Sequence, residues 1–530
     1  ALPICLIRPS SCPQRLQPAR RLQPHPGGGG HGGRLRGGVM ALGLRRFRTG
    51  VRMDRRHFRI VFHWVSFVMV VAVFAIAFFR EDIEDPDAKL FWLDCHRLIG
   101  FAILLLTALR LTSRWLFKVP PPHEPIAAMR IAEYRNLMIG RFLFIMGLRM
   151  MGTLVGWWIY ELTNEPFAIG LIGLAEVIPA VSLSLYAGHV IDISEKRKLL
   201  LRGVAAYLGC TLVLLALSFS VSEEWVYAKT AAIVIYCVIF FTGVFRSFTG
   251  PTFGTMVAYI VPRDLLQNAT TWNQGTWLTA SVTGHAVAGF LIAGLGNTGT
   301  LTVIAILVSI GFVFMTRLKP KPALNEPGEQ KTWESVKEGL RFVFNTKEVL
   351  GALSLDLFAV LFGGAVAMIP VFAKDILKVG PVGFGWLNAA SDLGAIMIII
   401  YLTFFPLRKQ QGKKLFFAVA GFGACIIVFA LSREFWLSFA VLVLSGILDG
   451  ISVVVRGTIL QLRTPDQVRG RVMSVNSMFI NSSNELGQFE SGVAAKLLGV
   501  VPSVIFGGSM TLLVVIITWF KAPKLRKMEY

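Results

Sequence analysis

PRDLLQNATTWN, residues 262–273, and PDQVRGRVMSVN, residues 465–476, repeat one pattern. Each begins with Pro and reaches Asn eleven positions on; each follows a long apolar segment and opens the next. Sixteen residues before the two prolines stand Arg246 and Asp449, so matching segments carry charges of opposite sign at matching depth. Parallel repeats related by an axis along the membrane normal leave this kind of internal similarity. The pattern divides the apolar part of the chain into two sets of six segments.

Around the first copy the apolar segments fall at about 137–160, 168–190, 199–219, 226–258, 270–295 and 299–316. Around the second they fall at about 350–376, 382–405, 414–431, 435–461, 473–498 and 501–520. Two more, 60–79 and 93–116, come first. A spanning helix needs about 20 apolar residues. The expected architecture is therefore an all-α membrane protein of about 14 transmembrane helices in a two, six and six grouping. The expected boundaries are a disordered basic tail over 1–52, a two-helix hairpin over 53–122, and six-helix bundles over 135–317 and 347–520. A cytoplasmic linker over 318–346, with a short amphipathic helix marked by Trp333, Val336, Leu340 and Phe344, joins the bundles, and a basic tail over 521–530 closes the chain.

Composition agrees. Of 530 residues, 54% are apolar and 16% charged, with a mean hydropathy of +0.62; soluble proteins average about 25% charged. The net charge of +22 is concentrated in the N-terminal tail and in alternate connections: Glu195-Lys196-Arg197-Lys198, Arg317 to Lys337, Arg408 to Lys414, and Lys521 to Lys527. Connections of the other parity, such as TNEP at 163–166, SVSEE at 220–224 and GNTG at 296–299, are poor in basic residues. By the positive-inside rule the basic loops and both termini are cytoplasmic, and nucleic acid is not the partner. The six cysteines form no CxxC pair, so neither a disulfide framework nor a metal site is expected. Residues 1–52, with GGGGHGG at 27–33, lack helical or strand periodicity and a signal-peptide core. The expected natural start is Met40 or Met53; a basic membrane-surface arm is the alternative.

Three stretches carry a family resemblance. GRFLFIMGLRMMGTLVGWWIYELTNEPFAIGLIGLAEVIPA from Gly140, GHVIDISEKRK from Gly188, and RGRVMSVNSMFINSSNELGQFESG from Arg469 resemble the major facilitator superfamily. Within it they resemble the branch holding the enterobactin exporter and macrolide and multidrug efflux proteins. The resemblance covers about 135–520 and implies the major facilitator fold, with two bundles rocking about a central cavity. It also implies a cytoplasmic gate at the loop motif, carried by Gly188, Asp192, Lys196 and Arg197. Glu195 stands where the family has a second Gly, a departure expected to weaken the turn.

Charge inside a span is costly and usually faces a cavity or a partner. Arg149, Glu176, Arg246, Asp356, Asp392 and Asp449 are the candidates for coupling or for lining the substrate cavity. Glu176, Asp356 and Asp392 come first for protonation or cation contact, because protonation lets a carboxylate change surroundings without an unpaired charge. Arg149 and Arg246 would hold their counter-ions or an anionic substrate. Arg456 also lies within a span, and His285 could titrate or simply pack. Glu485 and Glu490 read as close to one membrane face, where a structural role is expected. Trp157, Trp158 and Tyr160 read as interface anchors or as the rim of a cavity. Gly284, Gly289, Gly294 and Gly296 read as sites of close backbone approach.

RIVFHW with His63 and DCHRLIG with His96 resemble the first two spans of the bacterial cytochrome b561 family, which implies haem ligands at those positions. The two histidines fall toward opposite ends of antiparallel spans and the second half of that unit is missing. The expectation is therefore no cofactor, with haem b possible only through paired hairpins. No phosphate-binding Gly-rich loop is present, so an enzyme or a self-contained ATP-driven pump is not expected. The expected function is secondary transport in a bacterial inner membrane: proton-coupled efflux of a small amphipathic compound, siderophore or drug-like. Two alternatives stay open, a metabolite or sugar importer and a haem-containing electron-transfer protein. The expected partners are the substrate, protons or another cation, and lipid; oligomeric state is open.

Overall fold

The computed structural model describes residues 126–321 and 332–529, except 406, 408, 466 and 467, together with seven scattered positions from Met69 to Gly100. The chain divides into two compact units, residues 1–120 and 121–530. The expected hairpin falls in the first unit, where all but those scattered positions, His63 included, lies outside the described residues; His96 is helical and partly buried.

Twelve helices order the second unit: α1 Ala132–Thr163, α2 Pro166–Ile193, α3 Lys196–Ser222, α4 Ala228–Ile260, α5 Leu266–Thr316, α6 Thr332–Asn345, α7 Lys347–Phe362, α8 Gly380–Phe404, α9 Gln411–Leu431, α10 Phe435–Arg463, α11 Arg469–Leu498 and α12 Val500–Lys521. Among the described residues, nine helices are long and apolar enough to cross a membrane.

The longest, α5, is two crossings folded on each other at Gly296, whose φ of 66° and ψ of −170° belong to a region open essentially to Gly alone. The first limb runs beside α1 in the same direction: Tyr134 meets Ala269, Arg141 meets Asn273 and Thr153 meets His285. The second runs back, with Met315 over Gly140 and Val308 over Gly147. Two further crossings fall outside the apolar class. α7 breaks at Gly363 and continues through a 3-10 turn, Ala365–Met368, and a π turn, Phe372–Ile376. α11 carries Asn476, Asn481, Asn484, Glu485, Gln488 and Glu490 along its length. The unit thus crosses twelve times in two sets of six, the major facilitator arrangement. The pair of segments that would make fourteen lies almost wholly outside the described residues.

One end of the bundle gathers the basic connections. The Lys321 backbone N–H donates to Glu195 (3.0 Å), Lys321 Nζ pairs with Glu133 (3.0 Å), and Gly412 N–H donates to the Met528 carbonyl (3.1 Å). On this basic end α6 lies against the start of α11, where Glu338 pairs with Arg471. Helical spacing of Trp333, Val336, Leu340 and Phe344 foretells an amphipathic helix here; Leu340 lies on the packed face and Phe344 does not. Val343 is fully buried with Leu340 packed beside it, while Phe344 is 59% exposed.

At the opposite end the two halves are sealed. α2 meets α11 where a Cβ on Gly170 would lie 2.8 Å from Gly492 Cα, and α5 meets α8 where one on Gly289 would lie 2.6 Å from the Pro381 carbonyl. Only glycine permits backbones this close. Gly284 likewise faces the Arg149 side chain, whereas Gly294 and Gly296 have open space; Gly296 serves the fold-back instead. Lys374 Nζ donates to Asn164 Oδ1 (3.0 Å), Tyr160 O–H donates to Asp375, and the Trp157 ring lies 5.4 Å from that of Phe384. Trp157, Trp158 and Tyr160 are therefore buried in the seal and are not lipid-interface anchors. Tryptophan and tyrosine suit either role, because both offer an apolar ring with a polar handle.

Candidate coupling site

Below that seal, near mid-depth, the intramembrane charges sort into three groups. The first joins the halves through one arginine. Arg246 on α4 pairs with Glu176 on α2 and, at 2.7 Å, with Glu485 on α11. Pro179 and Pro251 lie within α2 and α4, and α4 presses Gly243 against Pro179 and the Glu176 carbonyl. That contact brings the arginine and the first glutamate together. Glu485 is buried, seventeen residues into a thirty-residue helix. It is thus far from the membrane face where its sequence neighbourhood put it. Two carboxylates share one guanidinium, and the Arg149 charge acts on Glu176 as well.

The second group also bridges the halves. On α5, Ser281 donates to Asp392 of α8, and His285 Nε2 lies 3.8 Å from the same carboxylate. His285 Nδ1 is 2.6 Å from Thr153 Oγ1 of α1, and that hydroxyl lies 3.0 Å from the Arg149 carbonyl. A hydroxyl has one proton to give. If Thr153 donates to the carbonyl, His285 must carry its proton on Nδ1 and turn Nε2 toward Asp392. The 3.8 Å from Nε2 to the carboxylate is too long for a direct hydrogen bond. Arg149 lies one helical turn before Thr153, its guanidinium stacked 4.9 Å over the Trp277 ring.

The third group sits inside the second bundle: Arg456 on α10 pairs with Asp356 on α7, both buried. Asp449 lies two turns earlier on α10. Of the six candidates, Glu176 thus meets Arg246, with the Arg149 charge acting on Glu176 and on His285; Asp392 meets Ser281; and Asp356 lines a cavity with Asp449. The sequence missed Glu485, Thr153 and Ser281 as members. A hydroxyl in a span gives no signal until its partner is known.

The described hydrogen bonds of the loop motif lie within the first half. Gly188 has nothing within 4 Å of a Cβ position, and the Asp192 side chain lies outside the described ones. Lys196 is fully buried and donates to the Ile191 and Ser194 carbonyls (3.1 Å for the latter). Arg197 donates to the Thr316 carbonyl at the end of α5 (2.7 Å). Glu195 does not weaken the turn. It caps α3, accepting from the Arg197 and Lys198 N–H groups at 2.9 and 3.1 Å, which are among the orphan donors of a helix start. Among the described residues no group of three or more His, Cys, Asp or Glu side chains is placed to hold a metal.

This fold, with ion pairs near mid-depth between two six-helix bundles, defines a major facilitator transporter. Residues 123–530 match the transmembrane secretion effector family, and the chain belongs to it. It is 20% identical over 377 residues to the uncharacterized MFS-type transporter YfmI of Bacillus subtilis, covering 69% of this chain and 91% of that one. It is 25% identical over 350 residues to the enterobactin exporter EntS of Escherichia coli, covering 64% and 79%. Among solved structures, a POT family transporter in complex with 5-aminolevulinic acid superposes with a TM-score of 0.59 at 13% identity, covering 74% and 96%. The nucleoside transporter NupG superposes with a TM-score of 0.56 at 15% identity, covering 73% and 99%. These likenesses show the fold alone. The protein is a multi-pass membrane transporter.

Proposed function

We propose that this transporter exports a small amphipathic compound in exchange for protons, by alternating access. The observation that carries the coupling is the Glu176–Arg246–Glu485 group, in which one guanidinium ties carboxylates of the two bundles together. Opening the sealed end must draw α2 and α4 away from α11 and part Arg246 from Glu485. A carboxylate left alone in a low-dielectric interior is costly, and a proton taken up there removes the charge. The same holds for Asp392 when α8 leaves α5. Proton entry and opening of the sealed end are therefore coupled by the cost of the unpaired state.

Outward direction rests on likeness to an enterobactin exporter, and the cytoplasmic placing of the basic end rests on the charge of its loops. On that placing the protein occupies the inner membrane of a bacterium, with the sealed end facing away from the cytoplasm.

The test is proton flux in sealed liposomes containing purified protein, against a panel of catecholate siderophores and cationic drugs. Substrate-dependent proton movement, abolished by Glu176→Gln or Glu485→Gln in folded protein, is expected. Substrate movement with no proton movement would remove the coupling. Substrate accumulation driven in the direction of the proton gradient would make the protein an importer.

A further inference from the structure

The third charge group contains a feature that coupling across the halves does not use. Asp449, Ser452 and Arg456 lie three and four residues apart on α10 and so share one face. Arg456 is committed to Asp356 of α7, and those two charges cancel. Asp449 and Ser452 remain. Together with Asp356 they line a small cavity, otherwise walled by apolar residues of α7, α9 and α10, among them Val360, Val419 and Phe422. Its volume of about 10 Å³ is roughly that of one water-sized sphere. Ser452 is 2% exposed, and its hydroxyl has no hydrogen-bond partner.

A buried hydroxyl without a partner costs about 1–3 kcal/mol, and a carboxylate without a cation in such surroundings costs more. The charged groups facing Asp449 are Asp356 from α7, Arg456 from its own helix, already neutralised, and Asp392 from α8, a like charge. α9 contributes only apolar lining. One positive charge of atomic size would satisfy the Asp449 carboxylate and the unpartnered Ser452 hydroxyl together.

We propose that Asp449, Ser452 and Asp356 form a site for one monovalent cation, a proton or Na⁺, within the second bundle. As a proton, the cation sits on the Asp449 carboxyl and is donated toward Ser452 Oγ, directly or through one water. As Na⁺ it takes oxygens from both carboxylates and the hydroxyl. The site rests on the coupled-transporter reading for its use but not for its existence. Lying within one bundle, it would load and empty without separation of the halves, and so adds a second ion to the transport cycle.

The test needs no transported substrate. Purified full-length protein is assayed for saturable binding of radioactive Na⁺ at neutral pH. The same samples are examined in the infrared for a protonated buried carboxyl. Sodium binding that falls at least about tenfold in Asp449→Asn, and about fivefold to tenfold in Ser452→Ala, the worth of one hydrogen bond, assigns Na⁺. No sodium binding, with a protonated-carboxyl band lost in Asp449→Asn and moved in frequency in Ser452→Ala, assigns the proton. Absence of both signals in the unaltered protein overturns the site, as does a signal that Ser452→Ala leaves unchanged. Ser452→Ala retains the fold even if Asp449→Asn does not, because it only replaces a buried hydroxyl by hydrogen. Glu176→Gln separates the two readings: it is expected to abolish substrate-dependent proton flux and to leave this binding signal intact. Flux that survives Glu176→Gln while the binding signal is present refutes the coupling role of Glu176 and leaves the cavity site standing.

Discussion

Adding one methyl group at Gly170 should push the transporter out of the sealed conformation. An alanine Cβ there would lie 2.8 Å from Gly492 Cα, 3.2 Å from the Gln488 carbonyl oxygen and 3.3 Å from the Gly492 nitrogen. Carbon atoms rest at about 3.5–4.0 Å, so the overlap with Gly492 Cα is at least about 0.7 Å. All three neighbours are backbone, which cannot rotate away, so α2 and α11 must separate. Overpacking of this kind costs about 1–3 kcal/mol. The cost falls only on the state in which these helices touch, so the ratio of open to sealed forms at this end should rise by about 5-fold to 150-fold. Gly173→Ala should act in the same direction, since its Cβ would meet the Glu485 carbonyl and Gln488 Cβ, each at 2.6 Å. The readout is the distance between spin labels at Glu165→Cys and Glu434→Cys, both exposed at the sealed end, with native cysteines replaced. Gly152→Ala, where nothing lies within 4 Å, is the control. A distance distribution unchanged by Gly170→Ala and Gly173→Ala, or changed equally by Gly152→Ala, would refute the reasoning.

Arg246→Ala should lower stability by about 1–3 kcal/mol, because it removes the charge-assisted partner of the buried Glu485 and the half-buried Glu176. Thermal unfolding followed by size-exclusion chromatography should show the loss, and adding Glu485→Gln should recover part of it. Gly296→Ala should cost about 1–3 kcal/mol through its backbone conformation alone, and the same unfolding assay reads it. Glu195→Ala should cost about 1 kcal/mol by uncapping α3; no change would show that water caps the helix equally well. On α6, Val343→Ser should destabilise clearly, while Phe344→Ser should stay within about 0.5 kcal/mol; the reverse order would place the other face against α11.

The sequence by itself determined that the chain is helical, that it spans a membrane, and that the spans after residue 135 form two sets of six. Apolar length and the Pro262 and Pro465 repeat carry this information locally, because every backbone group in lipid must be satisfied within its own helix. The sequence also exposed the charged candidates, since an ionisable residue in an apolar run is conspicuous. It could not say which of them meet. Arg246 and Glu485 are 239 positions apart, and Ser281 and Asp392 are 111 apart. Only the packing of α2 and α4 against α11, and of α5 against α8, decides those pairs. The same packing turned Trp157 and Tyr160 from candidate lipid anchors into parts of a seal. It also moved Glu485 from a membrane face to the middle of an ion group. A side chain's type fixes what chemistry it can do. In an interior where partners come from helices distant in the chain, tertiary structure alone fixes with whom it does it.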